Sequence, residues 1–363
     1  MPSCARAEII RPEEVSVFHC WNRCVRRAFL CGKDQTSGID YEYRRDWIRD
    51  MEEHLAGLFA IEIGFRGEMS NHLHLVLRTR PDVARTWSDE DVARRWLAVS
   101  KLAKSRDGQL REPNPARIAL QRAIPGRIAV LRKRLSDPSW FMATLCEYVA
   151  RRSNREDGCR GRFWEDRFQC RELLDESAIL VCGIYVDLNQ IRAGEALTPE
   201  SSTRTSAYDR IRSRQQRALE VDRHEVATNP AGESTDNNLP DGWLCELTRD
   251  EQAAVDAPEM LRSATRRRAS DKGLLPISLD DYLALLDASG RIVRSDKAGA
   301  IPDHLAPILE RLGIRRELWP DLVTRFDQMF GRVVGAAERV AQRAAQAGRR
   351  WYRGVTHCAA AFG

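Results

Sequence analysis

The stretch Met69–Arg78 reads MSNHLHLVLR and places two of the chain's seven histidines one residue apart in an apolar run. Leucine at every second position, with His72 and His74 alternating with it, predicts a β-strand. Side chains two apart on a strand share a face, so the leucines face a core and the imidazoles stand together on the other side. Two such imidazoles can bind one metal ion or one phosphate group. A solvated strand face can also carry this pair, so a site needs a third group.

Arginine dominates the charge of the chain. Of 58 basic residues six are lysine, which leaves 52 arginines, and the net charge is +5. Arginine suits bidentate contacts with phosphate and base edges, although a GC-rich genome would give the same excess. No apolar run is long enough to span a membrane, and the N-terminus lacks an apolar signal core. We therefore expect a cytoplasmic, nucleoid-associated protein with no membrane partner.

The segments around the histidine strand predict a small sheet with helices. Val15–Asn22 has strand character, Tyr41–Ala60 has the apolar spacing of an amphipathic helix, and IEIGFRGEM leads directly into the histidine strand. A basic, proline-interrupted stretch at about 101–137 is expected to be a loop-like insertion, and a helix follows Pro138. This arrangement is typical of an α+β sheet unit.

Arginine and aromatic residues alternate in GCRGRFWEDRFQCREL, residues Gly158–Leu173. Arginine beside aromatic rings suits single-stranded nucleic acid, because bases stack on the rings and phosphates pair with the guanidinium groups. A hairpin whose aromatics are simply core residues has the same pattern. On the first interpretation, the expected DNA contacts are Arg151, Arg152, Arg162, Trp164, Arg167, Arg171 and Arg192.

The composition changes after Thr205. Val226–Gly242 is polar and rich in turn residues, which predicts a linker, and the remainder has helical patterns. The predicted organisation is a domain at 1–212, a linker at 213–242 and a helical extension at 243–363. The extension has arginines around Trp351 and is expected to be either an accessory DNA-binding region or a structural cover over the core.

A third group for the histidine pair lies in YVDLNQIRAG. Tyr185 and Asn189 are four residues apart, so a continuous helix would place both on one face. A tyrosine hydroxyl can act as a covalent nucleophile, and an amide oxygen can bind a hard cation. If this face packs against the histidine strand, the two motifs form one site, although this spacing also occurs by chance.

Two motifs resemble a known family. SNHLHLVLR is similar to the His-hydrophobic-His motif of the HUH single-strand endonucleases, and GRFWEDRFQCRELLDESAILVCGIYVDLNQIRAG resembles the second signature of REP-associated tyrosine transposases. The resemblance covers roughly 15–212, with Gln190 where the family usually has proline and Glu68 where an apolar residue is more usual. Glu68 could be a stray surface charge or a fourth ligand, and we expect the former. The resemblance implies a ferredoxin-like antiparallel sheet in an HUH core, a metal pair at His72 and His74 completed by Asn189, and Tyr185 as nucleophile.

The resemblance also implies an activity. The expected enzyme is a transposase that uses Mg²⁺ or Mn²⁺ to cut single-stranded, hairpin or palindromic DNA through a 5′-phosphotyrosine intermediate, as a monomer or homodimer. Two alternatives remain open. One is a domesticated protein that binds hairpin DNA without cutting it, and the other is a metal hydrolase that acts on small phosphoesters through an activated water.

Overall fold

The chain is an α+β protein built on a five-stranded mixed sheet. This computed structural model describes residues 8–25, 29–34, 36–102, 112–226, 238–249, 263, 267–293 and 303–363. None of the helices in these ranges is long and apolar enough to cross a membrane.

The strands lie in the order β2-β3-β1-β4-β5. Neighbours among the first four are antiparallel, whereas β5 is parallel to β4. The predicted histidine strand is confirmed as β3, and the predicted first strand is confirmed with slightly later bounds. The strands are β1 Val17–Arg23, β2 Ile61–Glu68, β3 His72–Thr79, β4 Gln169–Leu173 and β5 Val333–Val334.

The helices surround this sheet, and the predicted helix at 41–60 is confirmed as α1. They are α1 Arg44–Leu58, α2 Pro81–Thr86, α3 Asp89–Leu102, α4 Pro115–Ala123, α5 Arg127–Leu135, α6 Pro138–Glu156, α7 Glu176–Asp187, α8 Asn189–Arg192, α9 Ser206–Val226, α10 Leu279–Val293, α11 Ala306–Arg311, α12 Trp319–Met329, α13 Ala337–Gln346 and α14 Val355–Phe362.

Both faces of the sheet are covered. On the face opposite the histidines, the Asn22 side chain on β1 reaches Cys146 of α6. On the histidine face, α7 packs against β2, and a Cβ at Gly183 would lie within 2.5 Å of Phe65. Glycine at this position therefore lets α7 approach the sheet closely. The register places Trp21 opposite His74, so β1 contributes side chains to the same face.

The predicted insertion at 101–137 is partly helical, because α4 and α5 lie within it; residues 103–111 fall outside the described ranges. The expected loop is thus wrong for its second half. Pro115 is at the first position of α4, where proline has no hydrogen bond to lose, and the Asn114 side chain caps the helix by accepting from Ala116 N at 2.8 Å.

The region after residue 212 packs onto the same core as the sheet. The predicted boundary at 212 lies inside α9, so the first part of the expected linker is helical; 227–237 lie outside the described residues. Cys245 N donates to Ile63 O at 2.8 Å, and β5 extends the sheet beside β4. Trp243, Trp319 and Phe326 are buried in one continuous core with the sheet residues.

Candidate active site

One cavity of about 300 Å³ contains three of the predicted site residues. His72 and His74 on β3 line it together with Tyr185 on α7. The ring centroids of His72 and His74 are 5.0 Å apart, and those of His74 and Tyr185 are 6.0 Å apart. The structure therefore brings the two separated sequence motifs to one place.

Each histidine of the pair is held through its Nδ1 atom. His74 Nδ1 lies 2.8 Å from His19 Nε2, and His72 Nδ1 lies 2.7 Å from Asn71 Oδ1. Neither Nε2 atom has a protein hydrogen-bond partner in the described part of the chain, so both are available to a ligand. A metal-binding histidine usually has its other nitrogen held in this manner.

Burial keeps these imidazoles neutral at ordinary pH. Loss of solvent lowers the pKa of His72 to about 4 and that of His19 to about 3, and nearby arginines act in the same direction. The pKa of His74 is also held well below its usual range, by burial first and then by His19 and His72. A neutral imidazole is the form that a metal ion requires.

The histidine pair offers two ligand nitrogens for a metal ion. Within the described ranges no group of three or more His, Cys, Asp or Glu side chains is arranged to hold a metal. The pair therefore fits an ion that takes its remaining ligands from water and from phosphate oxygens, as Mg²⁺ often does.

The structure does not bring Asn189 into this cavity. Helix α7 ends at Asp187 and Asn189 begins α8, with Leu188 between them in right-handed helical conformation, and Asn189 is not among the residues that line the cavity. The Asn189 Oδ1 atom instead accepts from Arg192 at 3.1 Å. The Arg192 guanidinium lies 4.3 Å from the centre of the Tyr185 ring, and this cation is what connects the two residues.

Tyr185 is buried against α12. Its Oη donates to Asp327 Oδ2 at 2.5 Å, its ring centroid is 5.4 Å from that of Phe326, and only 4% of the residue is exposed. Burial, and then the carboxylate of Asp327, raise the pKa of Tyr185 above its usual range. The phenol is thus protonated at neutral pH in this arrangement.

Asp327 also pairs with Arg171, whose NH1 atom lies 3.1 Å from Oδ1. Burial opposes ionisation of Asp327, but His19, His74 and Arg171 outweigh it and hold the pKa of the carboxyl well below its usual range. Because the two imidazoles are neutral at neutral pH, the ion pair with Arg171 is the contact that opposes the charge of Asp327 there.

Sequence reasoning missed His19 and Asp327. A signal existed for His19, because it alternates with Phe18 and Cys20 in an apolar strand and therefore lies on the face opposite those core residues. No signal identified Asp327. It is 142 residues from Tyr185 in the chain and belongs to a helix without any recognised motif.

The predicted DNA contacts divide into two groups. Arg151, Arg162 and Arg167 are exposed, Arg152 and Arg192 are half-buried, and Arg167 lines the cavity. Trp164 and Arg171 are buried, so their prediction as direct DNA contacts is withdrawn.

The partners of the two buried residues give the physical reason. Trp164 Nε1 donates to Cys146 O at 2.8 Å, and the ring is part of the core, as are Phe163 and Phe168. The Arg171 guanidinium is satisfied by Asp327 and by backbone carbonyls that include Gly331 O at 2.5 Å and Phe330 O at 3.0 Å.

No protein-family model, curated protein or solved structure gives a significant match to the chain.

Proposed function

We propose that the protein is a single-strand DNA endonuclease and strand transferase of the REP-associated tyrosine transposase kind, with Mg²⁺ or Mn²⁺ as cofactor and hairpin or palindromic DNA as substrate. The observation that carries the proposal is the shared cavity of His72, His74 and Tyr185. These residues come from two motifs that are far apart in sequence. A single site built from both motifs requires this proximity.

The topology supports the same proposal. Strands β1 to β4 in the order β2-β3-β1-β4, with α1 between β1 and β2 and α6 before β4, correspond to the β-α-β-β-α-β pattern of a ferredoxin-like core. β3, which carries the histidines, is an interior strand of this order, as the HUH resemblance implies. β5 is an addition to this pattern at the β4 edge.

In the proposed reaction, Tyr185 Oη attacks a DNA phosphorus and the bond from phosphorus to the 3′ oxygen breaks. The tyrosine proton passes to solvent, and the departing 3′ oxygen takes up a proton to become a free hydroxyl. The phosphate remains on the 5′ side of the cut, joined to the tyrosine, and attack by a 3′ hydroxyl reverses the step. Because the diester bond is conserved, no nucleotide cofactor is required.

The side chains around the cavity have separate roles in this reaction. His72 and His74 would hold the metal ion through Nε2, and the ion when bound would supply positive charge at the phosphate. Arg192 favours the ionised phenol, because its guanidinium lies over the Tyr185 ring. His19 acts through His74, whose ring it orients by the contact at Nδ1.

One observation favours a second function. The Tyr185 hydroxyl is bound to Asp327 and buried, as expected of a protein that keeps the fold and binds hairpin DNA without cutting it. The two functions differ in a single product, the protein–DNA covalent adduct.

The proposal is tested with labelled hairpin oligonucleotides copied from imperfect palindromes beside the gene, incubated with Mg²⁺ or Mn²⁺ and run on denaturing gels. Wild type should release a cut strand and form a slowly migrating adduct, and Tyr185→Phe should form neither. Tyr282→Phe is the matched control, because it removes a buried hydroxyl that binds Asp187 at 2.7 Å away from the cavity. Cutting by Tyr185→Phe at the wild-type rate would refute the proposal in favour of a hydrolase.

A further inference from the structure

The carboxylate of Asp327 lies where the reaction needs a phosphate. It accepts the only proton of the Tyr185 hydroxyl at 2.5 Å and pairs with Arg171 at 3.1 Å. It also lines the cavity into which the histidine pair faces. An anion thus already occupies the space in front of the nucleophile, and that anion belongs to the chain itself.

We propose that Asp327 is an intramolecular substitute for the DNA phosphate, and that the phosphate must displace the Asp327 carboxylate from the Tyr185 hydroxyl before Tyr185 can react. This inference rests on the proposed function, because it describes regulation of the same site. The group responsible is the side chain of Asp327, which we call the plug.

Charge and geometry both support this assignment. A carboxylate and a phosphodiester each present oxygen atoms with one negative charge, so the donors that hold one anion also suit the other. Both cannot occupy the space at the hydroxyl, because an attacking oxygen must approach phosphorus to within about 3–3.5 Å. With Tyr185 only 4% exposed, a DNA strand cannot reach the hydroxyl while the plug is in place.

A break in the helical backbone of α12 separates Asp327 from the buried start of the helix. At the start of the helix, Trp319 is fully buried, and its Nε1 donates to Ser289 Oγ at 2.8 Å. Helical dihedral angles are interrupted at Arg325, where φ is −119° and ψ is 19°. Asp327 follows this break, and Phe326 beside it is fully buried, so the displacement concerns the Asp327 side chain and leaves the core residue in place.

The rival interpretation makes Asp327 a general base that takes the proton from Tyr185. The same hydrogen bond fits both roles. The two interpretations are distinguished by whether a substitution of Asp327 raises or lowers DNA binding and cutting. Removal of a plug should improve DNA binding and cutting, whereas removal of a base should reduce cutting.

The first experiment measures the affinity for fluorescein-labelled oligothymidylate by anisotropy, at one fixed salt concentration. Asp327→Asn should bind about tenfold more tightly than wild type, because a charge that repels the phosphate is gone. Asp321→Asn is the matched control: it removes an exposed carboxylate from the same helix, one that pairs with Arg325 at 3.5 Å. Its binding should change by much less. Equal effects of the two variants, or weaker binding by Asp327→Asn, would overturn the proposal.

The second experiment uses the wild-type chain and does not depend on a variant. Amide hydrogen exchange at Asp327 and its neighbours in the last turn of α12 should become faster when oligothymidylate is added, since this turn then loses the contacts of the Asp327 carboxylate with Tyr185 and Arg171. Slower or unchanged exchange there would overturn the proposal. These results are independent of cleavage. Displacement of the plug without a covalent adduct would support the plug and reject the proposed nuclease. A covalent adduct without displacement would support the nuclease and reject the plug.

Discussion

Replacing Phe326 by alanine tests whether the C-terminal region is an integral part of the fold. Phe326 is fully buried, and its ring centroid lies 6.1 Å from His19, 5.4 Å from Tyr185 and 5.1 Å from Phe330. The Arg171 guanidinium is 5.0 Å from the ring. Such a residue joins the sheet, α7 and α12 at one point, so its loss should affect all three.

The magnitude follows from burial. A core Phe→Ala change usually lowers the free energy of unfolding by about 3–5 kcal/mol, because a cavity remains where the ring was. We expect about 4 kcal/mol here, since the aromatic contacts add to the burial term. Against a total stability of about 5–15 kcal/mol, this loss is large.

The assay is equilibrium unfolding in urea, followed by circular dichroism. Phe326→Ala should shift the whole transition to lower urea. Leu197→Ala is the control, because Leu197 is 65% exposed and should change stability by less than about 0.5 kcal/mol. A loss below about 1 kcal/mol for Phe326→Ala, or a separate early transition for the C-terminal region alone, would refute the conclusion that the sheet and the C-terminal region share one core. The C-terminal region would then be a separate extension, as the sequence predicted.

Three further predictions follow from the same contacts. Arg66→Met should lower the free energy of unfolding in urea by about 3–5 kcal/mol, because it leaves the buried carboxylates of Glu52 and Glu68 without their cation. His74→Ala should abolish Mn²⁺ binding in calorimetric titration, whereas His54→Ala should not. Affinity for hairpin DNA should fall steeply with salt in anisotropy titrations, and a flat dependence would exclude a phosphate-dominated interface.

The sequence predicted the parts of the site that depend on local patterns. The alternation in MSNHLHLVLR determines both the strand and the shared face of His72 and His74, because side-chain direction on a strand depends only on position. The start of the helix that carries Tyr185 can also be predicted from sequence, because Asp175 is a typical N-cap residue. In the structure its side chain accepts from Ala178 N at 3.0 Å.

Two of the incorrect predictions involve long-range packing. The metal-binding role of Asn189 stays a prediction: the residue does not line the cavity, and its Oδ1 atom accepts from Arg192. Glu68 was predicted as a stray surface charge; it is 1% exposed and paired with Arg66 inside the protein. Arg171 was assigned to DNA because arginine-rich patterns do not distinguish an exposed guanidinium from one that binds a distant helix. Contacts of Glu68 with Arg66, and of Arg171 with Asp327 of α12, decide these two cases, and no local pattern predicts them.

Peptide mapping of the protein after reaction with hairpin DNA tests the central claim most directly. Nuclease digestion of the bound DNA, followed by trypsin and mass spectrometry, locates any nucleotide that remains attached to the chain. The account predicts a nucleotide joined through phosphate to Tyr185, formed only when Mg²⁺ or Mn²⁺ is present and absent after Tyr185→Phe. Cut DNA without any modified tyrosine, or an adduct on another tyrosine, would contradict it.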